Sequence, residues 1–460
     1  MNMSRAESLA CDVDWSGQLG TSSATSRALS RAPRPRIAFV TSHPIQYQVP
    51  VFRLLAARDD LDLVVLFAML PDAAAQGAGF GLEFEWDIPL LEGYQYEVLD
   101  NVSAQPGVTH FTGCDTPDIR AVLKKHRIDV VVVNGWVVKT CLQALWACKR
   151  LGIPCIVRGE ANNLRPRPWW KRILQRQLVR RYDACLPIGK ANRDFYRSHG
   201  IPDRLMFDAP YCIENDRFER AAELARQRRC EIRRRWLIPE DALCFLFCGK
   251  FETKKHPIEL LRTFGEAVDR IELLRESSRD DHSASDNTER GATRYDRVPI
   301  HLLMVGDGEL KSKCETIARE VTSAFPASRS LPRTGLPVTF TGFLNQGQII
   351  DAYVAADVLV LTSDHGETWG LVVNEAMACG RPAIVSDQIG CVSDLIQEGK
   401  TGWVFKFGDW GQLADRMLQI SDDPAVLVGM EAQCRRLIEA WSPLAAAQGM
   451  VRAVHSLTQL

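Results

Sequence analysis

Apolar residues in this chain fall in short solid runs rather than in long alternating stretches. Residues 37–40, 63–67, 130–133 and 153–157 are rich in Val, Ile and Leu and are bounded by polar positions. A run that is apolar on both faces suits a strand of a parallel sheet covered on both sides. Helical spacing separates these runs at 118–126 and 139–151, and a further helix is expected after Tyr47 with Pro50 in its first turn. A charged helix over 217–235 leads to a second series of strands at 243–247, 301–305, 338–341, 358–361 and 383–386. From Trp410 onward the pattern is helical. Strands alternating with helices in two successive series predict an α/β chain of two doubly wound, Rossmann-like domains. Ligands of such domains bind at the carboxyl ends of the strands, and candidate chemistry is sought there.

Length and charge narrow the classes. The 460 residues are too many for one ordinary core. With 56 Lys and Arg against 57 Asp and Glu the formal charge is −1, which argues against a broad nucleic-acid surface. No apolar run approaches the ~18–20 residues of a membrane span. The 14 cysteines include no C-x-x-C pair, so they read as reduced, packed thiols of a cytoplasmic protein. Residues 1–35 are rich in Ser, Ala and Arg without an apolar core, and they read as a disordered tail. Residues 275–297 are polar and read as a mobile insertion, and 323–337 as a shorter loop. The expected division is a first domain over 36–210, a linker helix over 211–235, a second domain over 236–425 and C-terminal helices over 426–460.

The most informative segment is Thr362-Ser-Asp-His-Gly-Glu-Thr-Trp-Gly-Leu-Val-Val-Asn-Glu-Ala-Met-Ala-Cys-Gly-Arg-Pro-Ala383. It follows a strand and opens a helix near Gly370, with Glu367 on the loop and Glu375 in the helix. Backbone N–H groups at a helix start, beside glycines, suit a phosphate, and a helical Glu facing the same cleft can accept sugar hydroxyls. By spacing alone the two carboxylates read more simply as a solvated pair. A glycosidase needs its carboxylates on opposite sides of a sugar bond, which one loop-to-helix segment supplies poorly. Cys248-Gly-Lys-Phe-Glu-Thr-Lys-Lys-His-Pro257 ends another strand and offers Lys250 and Lys255 as charges for a diphosphate. Alone it would read as a solvated basic turn. The G-D-G of Met304-Val-Gly-Asp-Gly-Glu-Leu310 is a weak signal, since it is also simply a turn.

In this order and spacing the segments resemble glycosyltransferase family 4, the glycosyl transferases group 1, whose GT-B fold sets two Rossmann-like domains across a cleft. The resemblance extends from about Phe245 to Phe405 through Thr341-Gly-Phe343, Asp351-Ala-Tyr-Val-Ala-Ala-Asp357, Gly390 and Thr401-Gly402. Trp441-Ser-Pro443 resembles the tail region that crosses back onto the first domain. The resemblance implies that Glu375 binds the ribose of a sugar nucleotide and Glu367 the donor sugar. It implies that Lys250, where the family more often has Arg, and Lys255 neutralise the diphosphate. The backbone of Trp369, Gly370 and Leu371 would lie by the distal phosphate and sugar, with Gly306 and Phe343 near the base.

The expected activity is therefore retaining, metal-independent transfer from a UDP- or GDP-sugar to a glycan, lipid-linked or other hydroxyl acceptor. No cofactor, metal or nucleic acid is expected. Asp12-Val-Asp14 lies in the tail and Asp60-Leu-Asp62 at a strand start, so neither reads as a metal site. Competing readings are an epimerase or phosphorylase on the same architecture, and a non-catalytic nucleotide- or glycan-binding subunit.

The acceptor side is expected on the first domain. The loop Ser42-His-Pro-Ile-Gln-Tyr-Gln-Val-Pro50 lacks the glycines common in the family, and His43 and Gln46 project from it as candidates. The missing glycines also exclude a G-x-G-x-x-G dinucleotide turn here. Where relatives often carry a His deeper in the domain, this chain has Ile156-Val-Arg-Gly-Glu-Ala-Asn-Asn163. Glu160 is the candidate to take the acceptor's proton or hold the donor sugar, with Arg158 as its pairing partner. Residues 165–181 hold seven basic residues and no acid, with Trp170, Ile173, Leu174 and Leu178 at helical spacing. Two readings fit: a helix laid on the sheet with a solvated basic face, or a peripheral contact with the inner face of a membrane.

Overall fold

The apolar runs are strands of two six-stranded, wholly parallel sheets. The computed structural model describes residues 34–77, 81–283, 298–323 and 337–458. In the first sheet β1 (Arg36–Thr41), β2 (Asp62–Phe67), β3 (Gln95–Val98), β4 (Val130–Asn134), β5 (Cys155–Arg158) and β6 (Ala184–Cys185) lie in the order β3-β2-β1-β4-β5-β6. In the second, β7 (Leu243–Cys248), β8 (Ile300–Val305), β9 (Val338–Gly342), β10 (Val358–Leu361), β11 (Ala383–Ser386) and β12 (Gly402–Phe405) lie in the order β12-β11-β10-β7-β8-β9.

Period-2 alternation sends each solid run into two cores. Ile37 and Phe39 pack on one face of the first sheet, Ala38 and Val40 on the other. In the second sheet Phe245 and Phe247 face one core, while Cys244, Leu246 and Cys248 face the other. Cysteines thus serve as small apolar fillers: among the described residues all are unpaired, and all but Cys230 are buried.

Three strands are absent from the sequence expectation, and all are short. β3 is largely exposed and polar, β6 is two residues long, and β12 opens on a glycine. The charged helix expected over 217–235 is two helices, Asn215–Arg226 and Arg229–Arg235. They pack into the second lobe's core through Phe218, Ala222, Ala225 and Ile232. Arg229 and Arg233 share Asp357, at 2.6 and 2.7 Å, and Arg233 also donates to the carbonyls of Pro239, Glu240 and Ala242.

The expected tail lies outside the described residues from 1 to 33, as do 284–297 of the expected insertion and 324–336 of the second loop. The start of that insertion, 275–283, continues the helix Pro257–Ser283.

The chain crosses between lobes twice. The first crossing runs through Tyr211 and Ile213; the second follows Ile438, after which the helix Pro443–Thr458 packs on Val49–Ala56 of the first lobe. Asn215 ties the crossings together by donating to the carbonyl of Ile438 at 2.8 Å. Among the described residues no helix is long and apolar enough to cross a membrane.

Candidate active site

The order of the second sheet reverses between β7 and β10, so the loops after these strands part and leave a crevice. The β7 loop carries Gly249 and Lys250 and closes in the short turn Thr253–Lys255. The β10 loop runs from Thr362 to Gly370 and feeds the helix Leu371–Ala378. Thr362 donates its hydroxyl to the carbonyl of Lys255 at 2.7 Å, and the amide of Asp364 donates to that of Lys254 at 2.9 Å. These bonds bring Lys255 onto Glu367, and the two form an ion pair with side chains only 11% and 16% exposed.

Burial works against both charges, but each partner outweighs it. Glu367 is held below the usual carboxylate range and Lys255 above the usual lysine range. Lys250 is lowered, chiefly by burial, with Lys254 and Lys255 adding to the effect and Glu252 opposing it. In the helix, Glu375 accepts the Tyr353 hydroxyl at 2.6 Å. Burial raises its pKa, against that bond and the charge of Arg217.

Backbone shape explains two of the expected glycines. Gly370 turns the loop into the helix at φ 98°, in the left-handed region. Gly306, after β8, has φ 133°, and a Cβ there would lie 1.9 Å from the Gly249 carbonyl oxygen. Gly306 thus lets the β7 and β8 loops touch along their backbones.

Trp369 is placed differently from its neighbours. The residue is 2% exposed and its ring turns into the boundary between the lobes, tilted against Trp441 at 5.0 Å and edge-on to Tyr211 at 6.0 Å. Its indole N–H donates to Asn374, which donates to the Tyr211 carbonyl. The side chain therefore packs the lobe boundary, and only its backbone belongs to the loop beside Leu371. Phe343, after β9, packs 4.3 Å from Phe84, a residue of the opposite lobe.

The first sheet reverses between β1 and β4, and His43 follows β1. Ser42 Oγ lies 2.9 Å from His43 Nδ1, and burial lowers the pKa of His43 to about 4, so the ring is neutral at pH 7. Glu160, after β5, is held from two sides: Tyr211 donates to one carboxylate oxygen, and Thr368 of the second lobe donates to the other at 2.8 Å. The Tyr47 hydroxyl lies 2.5 Å from that of Tyr211. Arg158 does not take the expected place beside Glu160; its guanidinium lies over the Tyr211 ring, 5.0 Å from the centroid.

A cavity of about 930 Å³ opens between the lobes, lined by His43, Gln46, Leu70, Trp86, Glu92 and, from the second lobe, Lys250. The structure thus gathers Lys255 with Glu367 and sets His43 with Lys250. Tyr211, Thr368 and Tyr47 were not legible in sequence. Each is a single polar residue whose partner lies on a distant loop, with no spacing to mark it.

Comparison with known proteins agrees with this architecture. The family model for glycosyl transferases group 1 matches residues 332–440, and that for a glycosyl transferase 4-like domain matches 51–207. The chain is 37% identical over 118 residues to the sulfoquinovosyl transferase SQD2 of Arabidopsis thaliana, covering 25% of this chain and 20% of that protein. It is 25% identical over 293 residues to a D-inositol 3-phosphate glycosyltransferase of Streptomyces bingchenggensis, covering 63% of this chain and 56% of that one. Each match spans less than two thirds of the relative's own length. Anabaena HepE, solved with UDP and glucose, shares the fold with a TM-score of 0.61 at 14% identity, over 92% of this chain and 100% of that one. With the two family models covering more than half of the sequence between them, the chain belongs to the group 1 glycosyltransferases of the family 4 type, with the GT-B fold.

Proposed function

We infer that the protein is a retaining, metal-independent glycosyltransferase. It moves a sugar from a nucleotide-diphosphate sugar to a hydroxyl of a glycan, lipid-linked or other acceptor. The observation that carries this reading is the buried Lys255–Glu367 pair on the two loops that flank the crevice between β7 and β10, beside the start of the Leu371–Ala378 helix.

Glu375 accepts the ribose hydroxyls, with Gly306 and Phe343 flanking the base. The diphosphate draws Lys255 away from Glu367, which is then able to accept hydroxyls of the donor sugar. Lys250, Lys255 and the first-turn N–H groups of the helix stabilise the charge that develops as the sugar–phosphate bond breaks. The acceptor enters the cavity from the first lobe. Its hydroxyl oxygen bonds to the anomeric carbon on the face that the diphosphate leaves, and its proton passes to the departing phosphate oxygen. No protein nucleophile is consumed. Glu160 and neutral His43 orient the acceptor hydroxyl and the donor sugar.

Thermal unfolding with UDP, GDP and ADP, and then with their sugars, tests the donor side. One diphosphate is expected to raise the Tm and to lose that effect in Glu375→Ala. The Lys255→Ala enzyme is expected to lose about 10²–10³ in turnover, the usual loss for one charge-stabilising group. No stabilisation by any nucleotide, or undiminished transfer in both variants, would overturn the assignment.

A further inference from the structure

Between residues 83 and 90 the sequence alternates, with Phe84, Trp86, Ile88 and Leu90 set between Glu83, Glu85, Asp87 and Pro89. The structure keeps the alternation without building a strand from it: the first set is half-buried and the second exposed. The segment is a strap between the lobes. At one end Arg53 of the helix Val49–Ala56 donates to the carbonyls of Pro89 and Glu92, at 2.6 and 3.1 Å. At the other, the Glu85 carbonyl and the Asp87 carboxylate accept from Asn345 and Gly347 of the second lobe. Trp86, Ile88 and Leu90 belong to no core of either lobe. They line the cavity of about 930 Å³, together with Met69, Leu70 and Val108. Leu70 is 43% exposed there. The space is at the upper end of the roughly 300–1,000 Å³ that drug-sized ligands fill.

Charge narrows the occupant. Glu85 and Glu92 line the cavity, and among the described residues that line it Lys250 is the one cation. Burial keeps His43 neutral. A phosphorylated or carboxylated molecule would meet two carboxylates and no arginine fork. An unsubstituted glycan would lay its hydroxyls against the apolar wall, where they lose water without gaining partners. A neutral molecule with a hydroxyl-bearing end for His43 and Gln46 and an apolar body for the strap meets both conditions.

We propose that the strap selects the acceptor: the cavity takes a neutral alcohol or glycoside bearing an aryl or alkyl group, and that group packs on Trp86, Ile88, Leu90 and Leu70. That the molecule is an acceptor rests on the transfer reading; what the cavity binds does not.

Ligand-observed NMR of the full chain, without donor, tests the cavity. The probes are methyl, phenyl and octyl glycosides of glucose, galactose and mannose, the octyl ones below their micelle concentration, and the 6-phosphates of the same sugars. In at least one series the phenyl and octyl glycosides should bind about tenfold tighter than the methyl glycoside, with saturation strongest at aryl and alkyl protons. The phosphates should not bind. Ile88→Asn with Leu90→Asn should abolish the preference, and Leu70→Asn should reduce it severalfold with the Tm unchanged. Equal affinities within every series, no binding at all, tighter binding of a phosphate, or a preference that survives both variants would overturn the proposal. Transfer is then assayed with UDP-, GDP- and ADP-sugars. Glycosylation of the aryl or alkyl glycosides supports the proposal, and glycosylation of the phosphates or methyl glycosides alone overturns it. Absence of transfer to any probe, with binding intact, counts against the transfer reading and leaves the cavity assignment standing.

Discussion

Lys255 and Glu367 illustrate how a buried pair is both an asset and a liability. Removing one partner from such a pair typically costs about 3–5 kcal/mol, because the survivor keeps its desolvation penalty. The sign of the pH dependence follows from the two shifts. The lowered pKa of Glu367 gives stability that is present above the unfolded carboxylate value of about 4.3 and is lost as pH falls. The raised pKa of Lys255 gives stability present below about 10.4 and lost as pH rises past it. The Tm difference between the wild type and Glu367→Gln should therefore be level through neutral pH and shrink below about pH 4. A difference that grew in acid would contradict the pairing. His43 offers a second reading at this scale. Its imidazole should stay neutral in an NMR titration down to about pH 5 and protonate near the buried value of about 4. Sequence named Lys255 and Glu367 because both sit in patterned loops. It paired Arg158 with Glu160, whereas among the described residues the two form no ion pair and the guanidinium lies over the ring of Tyr211, which comes from a distant crossing.

Among the elements, the strands and helices that were legible are those whose burial comes from both faces. β1, β4 and β7 are solid apolar runs and read directly as buried parallel strands. β3 and β6 lie at the ends of the first sheet, where one neighbour suffices, so neither length nor apolar pattern is imposed on them. The helix at 169–179 has two readings in sequence, and the structure leaves its stripe exposed, with only Leu178 and Val179 at its end packed on the first lobe. Loop contact is testable here as well. Gly306→Ala combines a left-handed backbone with a Cβ aimed at the Gly249 carbonyl, so the β7 and β8 loops must separate. The variant should weaken nucleotide binding more than tenfold in calorimetry, a loss of about 1.4 kcal/mol, while Gly399→Ala, which meets no neighbouring atom, should not. Equal affinities would separate the loop contact from donor binding.

Across the whole molecule, the lobes meet through scattered polar contacts around an aromatic centre. Asn345 donates to the Glu85 carbonyl at 2.7 Å, the amide of Gly347 to Asp87 at 2.8 Å, and the amide of Lys190 to Asp394 at 2.9 Å. Such bonds contribute about 1 kcal/mol each, few enough to be remade in each cycle. Asp87→Ala with Asn345→Ala should raise amide exchange along 84–90 and increase the acceptor KM several-fold, with the Tm little changed. Unaltered exchange would show that these contacts do not hold the segment. The centre is another matter: Trp369→Ala should cost about 3–5 kcal/mol, as loss of a buried aromatic generally does.

That same indole gives the protein an optical gauge. Trp369 rides on the loop between Glu367 and the helix, while its ring neighbour Trp441 sits where the chain returns to the first lobe. Two indoles in contact couple their transitions, so a lobe rotation that shifts the Trp441 crossing against the Trp369 loop alters near-ultraviolet circular dichroism without an added label. Occupancy of the nucleotide crevice and the swing of the lobes would be read on one signal, in real time, with Trp441→Phe as the blank.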